Sequence, residues 1–376
     1  MTEVSARGAT VRRAGPGDDA ALAAFFAATA MDADLVLRVD RSPRFSALYE
    51  LQSEDWETWL AEDESGIVGC GTLLARNGYV AVERRRVGYL GDLRSRPGTG
   101  ALHLINRLYG PVLRSFAART GAAAFGTAII SSNAPAVRAL ASGRSRSRSR
   151  PVYTPLLDYA IRSVHLTVRL PLPRSDVRVR TALDGDVPAI ARLLDDDARG
   201  RPFGTPVDEA TLRGRFASWP GLEVASFLVA EDAAGSVRGC VAMWDAARVK
   251  RSVVLDYRGG MRRVRRLADV TFPLVRAQRL PRPGEAFRSL YATHQAVVDD
   301  DPQVLAALVA AAYRRYRQRG HHVLTFRAPL GHRLDAAFRG FHVTDLPATF
   351  YAVTLPGEPV PAVVQSGEPA FEIALI

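Results

Sequence analysis

Lysine is nearly absent from this chain. Of the 50 lysines and arginines among its 376 residues, Lys250 is the only lysine. The formal net charge of +11 is therefore carried by arginine, and this bias reflects composition as much as function. Because a basic chain favours polyanionic partners, nucleic acid, an anionic membrane surface and a phosphate-rich cofactor all stay open at this point.

Cysteine is scarce as well, since Cys70 and Cys240 are the only two in the chain. Each lies in an apolar run beside a glycine, which is typical of a reduced core residue rather than of a disulfide or a metal pair. The seven histidines show no ligand spacing, and the adjacent His321 and His322 suit packing or surface positions. The sequence therefore predicts no metal site.

Long hydrophobic runs are missing too. No apolar run approaches the ~18 residues of a membrane span, and the opening Met1 to Arg7 lacks the basic-then-apolar order of a signal peptide. We therefore expect a cytoplasmic protein without a membrane partner. The 47% hydrophobic and 24% charged residues are typical of a globular protein, and a chain of 376 residues suggests two domains.

Residues 86–108 predict a strand, a tight turn and the start of a helix. Residues 87–93 are mostly apolar, Pro97-Gly98-Thr99-Gly100 has turn chemistry, and apolar residues then recur at helical spacing. Backbone N–H groups at a helix N-terminus attract phosphate, and the helix dipole adds to the attraction. The stretch predicts an anion site, although a plain connecting turn explains the same residues equally well because the dinucleotide fingerprint and the Walker P-loop are both absent.

The chain also repeats itself. Residues 11–22 and 179–190 share an extended segment, a Gly-Asp helix cap and an apolar helix. Residues 59–73 and 227–243 share a hairpin pattern of two hydrophobic runs around a short acidic turn. Two matches in the same order predict duplicated domains with a boundary near residues 171–176.

We therefore expect an N-terminal domain at 1–170, a C-terminal domain at 171–356 and an extended tail at 357–376. In the first domain the patterns predict a mixed α/β layer, with strands pairing centrally and helices covering them. The predicted strands are 9–13, 87–93, 123–130 and 156–170, with a hairpin at 58–75 and helices at 18–30, 44–50, 100–119 and 134–141.

This order resembles that of the GCN5-related N-acetyltransferase (GNAT) superfamily. Residues 12–22 resemble its opening strand and helix, 62–73 its central hairpin, 90–97 its fourth strand, and 129–138 its fifth strand with the following Asn-containing helix. The resemblance implies an α/β fold of two tandem GNAT-like domains, each a twisted mixed sheet flanked by helices.

The resemblance also implies acetyl-coenzyme A (acetyl-CoA) as cofactor, with its pantetheine arm between the fourth and fifth strands. Carried onto this sequence, it assigns the pantetheine to backbone groups of Leu93 and Ser95, and the pyrophosphate to N–H groups of Gly98, Thr99, Gly100 and Ala101. Arg94 and Arg96 would add charge, and Asn133 would either hydrogen-bond the arm or simply cap its helix. Because the family's turn usually carries more glycines, either this turn is shortened or its phosphate site is poor.

Attack of an amine on the thioester needs a base for the amine proton and an acid for the leaving thiolate. Asp92, on the fourth strand, is the candidate base; otherwise it is a charge at a strand end. The family's acid is often a tyrosine on the helix after the fifth strand, where this sequence has Leu140. Tyr153 is the nearest replacement, although a solvated loop tyrosine is the expectation for it.

Two further stretches bear on partners. Residues 144–150 alternate Arg and Ser and would suit phosphates of RNA or DNA, but no aromatic residues interleave with them, so we expect a solvated loop and no nucleic acid partner. In the second copy, Asp299 to Asp301 favour a helix start yet would repel a pyrophosphate. That copy is therefore expected to keep the fold without the cofactor site, with Tyr291 or His294 facing a shared cleft or satisfied within the sheet.

The sequence supports two hypotheses. One is an N-acetyltransferase that uses acetyl-CoA in its N-terminal domain and a small-molecule or peptide amine as acceptor. The other is a non-catalytic protein that senses acyl-CoA or binds nucleic acid. The second domain would either shape a substrate cleft or form a homodimer. The apolar end of the tail, residues 371–376, would dock on its own chain or on a partner.

Overall fold

The computed structural model describes residues 3–6, 9–28, 34–96, 98–99, 101–141, 150–166, 170, 172, 175–274, 277–355, 357–365 and 367–376. The strands are β1 (Glu3–Ala6), β2 (Ala9–Arg13), β3 (Leu35–Asp40), β4 (Trp56–Asp63), β5 (Gly66–Val80), β6 (Glu83–Ser95), β7 (Ala122–Ile130), β8 (Val152–His165), β9 (Arg178–Thr181), β10 (Phe227–Glu231), β11 (Val237–Trp244), β12 (Arg251–Tyr257), β13 (Ala286–Phe287), β14 (Ser289–Val297), β15 (Val323–Pro329) and β16 (Val343–Thr354). The helices are α1 (Asp19–Ala28), α2 (Ala47–Glu50), α3 (Ala101–Thr120), α4 (Ala134–Ala136), α5 (Val187–Arg199), α6 (Glu209–Ser218), α7 (Gly259–Leu274), α8 (Pro302–Tyr316) and α9 (Ala362–Gln365).

Thirteen of the described strands form one mixed sheet in the order β1-β2-β4-β5-β6-β7-β16-β8-β15-β14-β11-β10-β9. The N-terminal half supplies one end and the C-terminal half the other. The pairs β6/β7 and β14/β15 are parallel, and every other pairing among the described strands is antiparallel. The predicted mixed α/β fold is therefore confirmed, with helices flanking a single large sheet.

The two halves exchange their last strands. Strand β16, from the C-terminal half, pairs antiparallel with β7 and β8 of the N-terminal half. Strand β8 in turn pairs with β15 of the C-terminal half. Because each half completes the sheet of the other, the halves share one continuous hydrogen-bonded ladder. The predicted boundary near 171–176 follows β8, but residues 171, 173 and 174 lie outside the described residues, so it stays a prediction.

Each half covers its part of the sheet with one long helix. Helix α3 packs Leu108, Val112, Leu113 and Phe116 against buried residues of the N-terminal strands. Helix α8 packs a corresponding apolar row against the C-terminal strands, beginning with Val304 and Leu305. At about 25 cal/mol per Å² of apolar surface removed from water, such rows are the main source of stability in both halves.

An arginine triad repeats in both halves. Arg12 binds Asp18 at 2.7 Å and Glu62 at 2.8 Å. In the second half Arg180 binds Asp186 at 2.6 Å, and its Nε donates to Glu231 at 2.8 Å. Cys70 and Cys240 also lie at equivalent places, both free and fully buried, as predicted. The duplication seen in the sequence is thus repeated in side-chain contacts.

A small side sheet joins the halves where the sequence predicted no element. Strand β12 of the C-terminal half pairs with β3 of the N-terminal half and with β13. Arg251 lies opposite Asp40 in this pairing, and their side chains form a 2.7 Å ion pair. The side sheet therefore brings the residues that follow Asp40 next to those that precede Arg251. None of the described helices is both long and apolar enough to cross a membrane.

Candidate functional site

Strand β6 is irregular at Asp92. Its pairing with β5 runs from Thr72 opposite Gly91 to Cys70 opposite Arg94, so one residue is extra on β6. Asp92 accordingly has a φ of 55°, in the left-handed region that costs a non-glycine residue of order 1 kcal/mol. Such bulges redirect a side chain and bend the strand. The candidate base predicted from the sequence thus lies at the most strained point of its strand.

Beyond this bulge β6 separates from β7. Parallel pairing joins Arg86 through Tyr89 to Ala122 through Gly126, and no ladder pair between the two described strands continues beyond Tyr89. The hydroxyl of Thr127 donates to the Leu90 carbonyl at 2.7 Å, so a side chain replaces the ladder where the strands begin to part. Backbone groups that lose a ladder partner need another one, and an extended ligand with amides can supply it.

The separated end of β6 leads directly to the start of a helix. β6 ends at Ser95 and α3 begins at Ala101, as the sequence predicted for this turn. Gly98 has a φ of +79°, and a Cβ on it would meet nothing within 4 Å. The Thr99 hydroxyl donates to the Arg96 carbonyl at 2.8 Å. Of the predicted phosphate-binding turn, Pro97 and Gly100 lie outside the described residues.

Asp92 is held by two partners from the segment after β3. Arg41 contacts both carboxylate oxygens, at 2.5 and 3.1 Å, and the Tyr49 hydroxyl donates to Oδ2. Only 3% of Arg41 is exposed, and its guanidinium lies 4.7 Å from the Phe26 ring centre and 5.1 Å from that of Phe45. A charge buried among aromatic rings strengthens its ion pair, because little water competes for it. The carboxylate is therefore fixed in place.

Lys250, from the C-terminal half, lies beside this cluster. It directly precedes Arg251, the partner of Asp40, so it comes next to Arg41. Its Nζ donates to Ile376 O at 2.9 Å and lies 5.1 Å from the centre of the Tyr291 ring. Burial, with repulsion from Arg41, lowers the pKa of Lys250 to about 7. Nothing in the sequence around this single lysine indicates its position beside Arg41, because that position depends on the pairing of β12 with β3.

The C-terminal tail ends between the two halves. Phe371 stacks on Phe350 at 4.6 Å, and Ile373, Ala374 and Leu375 are buried. The carboxylate of Glu372 accepts a hydrogen bond from the backbone N of His294 at 2.9 Å. The apolar end therefore docks on its own chain, which was one of the two alternatives left open by the sequence.

The C-terminal half repeats the bulge at His294. Its φ is 50°, the pairing of β11 with β14 shifts at the same place, and Cys240 Sγ donates to the His294 carbonyl at 3.6 Å. In the N-terminal half Cys70 Sγ makes the same contact to the Asp92 carbonyl at 3.4 Å. Burial lowers the pKa of His294 well below its usual value. The two halves thus share a β-bulge with a residue of positive φ, and that residue is an aspartate in one half and a histidine in the other.

The gap beyond the second bulge is filled by ion pairs. Arg201 binds Asp197 at 3.3 Å, Asp300 at 3.0 Å and Glu368 of the tail at 2.9 Å. Arg327 binds the same Glu368 at 3.0 Å. The cavity left among these side chains measures about 20 Å³, which is room for about one water molecule. A pantetheine arm could not enter without breaking this network.

Most of the predicted site residues lie along one continuous path. Leu93 and Ser95 are on the separated part of β6, and Gly98 and Thr99 are in the turn that follows. The Asn133 side chain accepts from the Ala136 backbone at 3.2 Å, so it caps α4. Its role toward a cofactor stays a prediction.

The two arginines point to different partners. The Arg94 guanidinium lies 3.4 Å from the centre of the Phe26 ring and donates to the Phe26 carbonyl, and burial lowers its pKa. Arg96 donates to the Ser65 hydroxyl at 2.9 Å on the β4–β5 turn. Arg94 is therefore engaged by α1, whereas Arg96 stays close to the predicted phosphate turn.

Tyr153 is not a loop tyrosine, so that expectation was wrong. It lies on β8, its hydroxyl donates to Tyr109 of α3 at 2.8 Å, and its ring packs edge-on against Tyr351. Burial raises the pKa of Tyr153. Its described contacts include none of the partners of Asp92. Of the Arg-Ser stretch, residues 142–149 lie outside the described residues, so the expectation of a solvated loop stays a prediction.

No model of a protein family matches the sequence, and no curated protein matches it. Saccharomyces cerevisiae N-myristoyltransferase with bound myristoyl-CoA superposes with a TM-score of 0.59 at 10% identity, covering 94% of this chain and 81% of that one. A GCN5-related N-acetyltransferase from Sphaerobacter thermophilus superposes with a TM-score of 0.58 at 16% identity, covering 95% of this chain and 99% of that one. The resemblance predicted from the sequence is therefore confirmed for the fold, and this chain has the GNAT fold in a two-domain arrangement.

Proposed function

We propose that the protein is an acyltransferase that transfers an acetyl group from acetyl-CoA to an amine, with its cofactor in the N-terminal half. One observation carries the proposal. The separated edge of β6 runs from the Asp92 bulge to the start of α3, whereas the equivalent gap in the C-terminal half is filled by the Arg201 network. A protein of the same fold holds an acyl-CoA, the myristoyl-CoA of the yeast N-myristoyltransferase.

The cofactor would lie along the path already described. Backbone groups of Leu93 and Ser95 would bind the pantetheine amides, since β7 offers them no ladder partner among the described residues. The pyrophosphate would lie at residues 98–101, where the dipole at the start of α3 would favour an anion and Arg96 would add positive charge. Asn133, which caps α4, would also hydrogen-bond the pantetheine arm.

The reaction would place the acceptor amine beside Asp92. The amine nitrogen attacks the thioester carbonyl, the C–N bond forms, and the C–S bond breaks to release coenzyme A as a thiolate. Asp92 takes the proton from the amine, and Tyr49, which donates to Asp92, gives its proton to the thiolate and recovers one from Asp92. We favour Tyr49 over Tyr153 as the acid, because the Tyr153 hydroxyl is tied to Tyr109.

The acceptor would approach from between the halves, where Lys250 and Tyr291 flank the cluster around Asp92. A small molecule or a peptide amine would fit a cleft built from two halves better than a surface groove, because both halves can then contribute contacts. On this view the C-terminal half shapes the acceptor site, and it has given up its own cofactor gap.

The proposal is tested by separating binding from turnover. Acetyl-CoA should raise the melting temperature of the protein, because a ligand held only by the folded state stabilises it by about 2.7 kcal/mol at a hundredfold excess over Kd. Release of the coenzyme A thiol should then be measured against a panel of amines and peptides. Binding without any release would point to the acyl-CoA-sensing alternative, and no binding would contradict the proposal.

A further inference from the structure

We propose that the outer face of α7 binds the surface of an anionic lipid bilayer. The inference does not depend on the proposed acyl transfer, because it concerns a surface of the C-terminal half away from Asp92. Strand β12 lies between the two places: it begins at Arg251, the partner of Asp40, and ends at Tyr257, just before α7. At about 3.3 Å per residue, this strand separates them by roughly 20 Å.

Helix α7 carries a group of exposed apolar side chains. The described residues include nine large apolar side chains that are exposed, and four of them lie on α7. They are Val264, Leu267, Val270 and Leu274, which are 50, 65, 69 and 80% exposed. None of the other described helices carries one. Single exposed apolar residues are normal on a protein surface, but a contiguous group marks an interaction site.

The four side chains form one stripe. At about 100° of rotation per residue, they fall within an arc of about 120° on the helix surface. The other side of α7 packs on the protein, since Ala268 is buried and the Arg265 guanidinium lies 5.0 Å from the centre of the buried Tyr257 ring. The stripe therefore points away from the protein along most of a helix that is about 24 Å long.

The charge on this face is positive. Arg263 lies within the same arc, Arg266 lies about 40° beyond its edge, and both are exposed. The single acidic residue of α7, Asp269, lies on the opposite side, where it is 3.6 Å from Arg265. The arginine-rich composition accounts for the number of arginines, but not for their position beside an apolar stripe without a carboxylate.

An anionic bilayer matches both features of the face. A basic amphipathic helix lies in the plane of the bilayer surface, with its apolar side ~5–10 Å deep and its basic side chains at the lipid phosphates. Arginine reaches those phosphates while its aliphatic stem stays in the apolar layer. A second copy of the chain matches less well, because a twofold contact through the stripe would bring Arg263 and Arg266 against the same residues of the other copy.

The expectation of a protein without a membrane partner rested on the lack of a long apolar run. The apolar residues of this face are separated in sequence by arginines and other residues, so a search for such runs does not find them. None of the described helices can cross a membrane, but binding at a membrane surface needs no crossing helix.

The test compares two matched pairs of exposed apolar residues. The full chain is mixed with vesicles of phosphatidylcholine, alone or with phosphatidylglycerol, and the bound fraction is measured by flotation. We expect binding only to vesicles that contain phosphatidylglycerol, and weaker binding at higher salt. Leu267→Ser/Val270→Ser should weaken this binding at least tenfold. The control Val82→Ser/Leu183→Ser, at positions 64 and 67% exposed, should bind as the original protein does.

The arginines are tested in the same assay. Arg263→Gln and Arg266→Gln should each weaken binding by about fivefold and reduce its dependence on salt, because each removes one positive charge near the lipid surface. All of these positions are exposed, so the variants should keep the fold, and circular dichroism checks that they do.

A fluorescent label tests whether the stripe enters the bilayer. Because Cys70 and Cys240 are both buried, an exposed cysteine can be labelled selectively with a nitrobenzoxadiazole dye. With vesicles that contain phosphatidylglycerol, the emission of the dye on Leu267→Cys should shift to the blue. The same dye on Leu183→Cys should keep its emission.

Three results would overturn the inference. The first is no binding to vesicles that contain phosphatidylglycerol. The second is equal binding by the original protein and Leu267→Ser/Val270→Ser, because the net charge of +11 alone would then explain the attraction. The third is a dimer, seen by light scattering, that the same double variant converts to a monomer, since a second copy would then cover the face. None of these results bears on acetyl-CoA binding, so the proposed function is decided separately.

Discussion

The bulges at Asp92 and His294 share their backbone geometry but differ in the side chains that surround them. Both residues have positive φ, and the carbonyl of each accepts from a buried cysteine. Asp92 precedes a strand end that separates from its neighbour, whereas the gap after His294 is filled by Arg201, Arg327 and the tail residue Glu368. A duplicated fold can thus retain its backbone geometry while the side chains around its two bulges differ.

The difference lies in side chains near each helix start. In the N-terminal half the turn before α3 has Gly98 and Thr99, whereas the turn before α8 has Asp299, Asp300 and Asp301. Asp301 caps α8 by accepting from the Gln303 backbone at 2.8 Å, and Asp300 binds Arg201. These carboxylates satisfy the helix start and would repel a phosphate there. In the C-terminal half, internal ion pairs therefore lie where the proposed cofactor would lie in the N-terminal half.

The largest expected effect is on kcat, and it should differ between variants of the two bulge residues. Asp92→Asn should lower kcat by ~10²–10⁴-fold, the usual contribution of a general base, while acetyl-CoA still binds. His294→Gln should leave kcat within about tenfold, because His294 lies in the half without a free gap. Steady-state release of the coenzyme A thiol measures both. If the two variants lost activity equally, the assignment of chemistry to the N-terminal half would be wrong.

The repeated arginine triads should differ in stability. Glu231 is 6% exposed and Glu62 is 34% exposed, so removal of Arg180 weakens the pairing of a carboxylate in a drier place than removal of Arg12 does, although Arg178 still lies 3.7 Å from Glu231. We expect Arg180→Met to lower the free energy of unfolding by about 2–3 kcal/mol and Arg12→Met by about 1 kcal/mol. Urea denaturation of the two variants measures this difference. Equal losses would show that burial does not distinguish the triads.

Acid should destabilise the fold through the buried histidines of the C-terminal half. Burial lowers the pKa of His322 to about 4 and that of His294 well below its usual value. The unfolded chain binds protons at these residues below about pH 6.5 while the folded chain does not, so stability falls as the pH drops from 6.5 toward 4. Each histidine should remove about 1.4 kcal/mol per pH unit in that window.

Urea denaturation at pH 7 and pH 5 tests this pH dependence. His322→Gln should reduce the loss between the two pH values by up to about 2 kcal/mol, because one titrating group is gone. A variant with the same pH dependence as the original protein would contradict the assignment.

The smallest expected effect concerns the predicted phosphate turn. Gly98→Ala adds a methyl group into open space, but at a φ of +79° it should cost about 1 kcal/mol of backbone strain. Gly340 is the matched control in the C-terminal half, with a φ of +85° and the same open surroundings. Both variants should lose similar stability, and only Gly98→Ala should weaken acetyl-CoA binding, by about fivefold. Equal affinity in both would remove this turn from the site.

Local patterns predicted the parts of the site that are contiguous in sequence. The path from Asp92 through Thr99 and the start of α3 follow from apolar runs, turn residues and helical spacing. The burial of Cys70 and Cys240 followed from their apolar surroundings in the same way. Each of these features depends on residues close together in the chain.

The partners of Asp92 could not be predicted in this way. Arg41 and Tyr49 reach it from the distant segment that follows β3, and the sequence did not indicate the side sheet that places Lys250 next to Arg41. Tyr153 was misplaced for a similar reason, since its burial depends on the exchanged strand β16. Pairing between remote strands leaves no periodic signal, because each strand shows only its own alternation.

The central claim is that one half of a duplicated fold holds the cofactor, and a crystal structure with coenzyme A bound tests it most directly. We predict one molecule per chain, with its pyrophosphate at residues 98–101 and its pantetheine along Leu93 and Ser95 of β6. A molecule bound instead between β14 and β15, with Glu368 displaced from Arg201 and Arg327, would contradict the account.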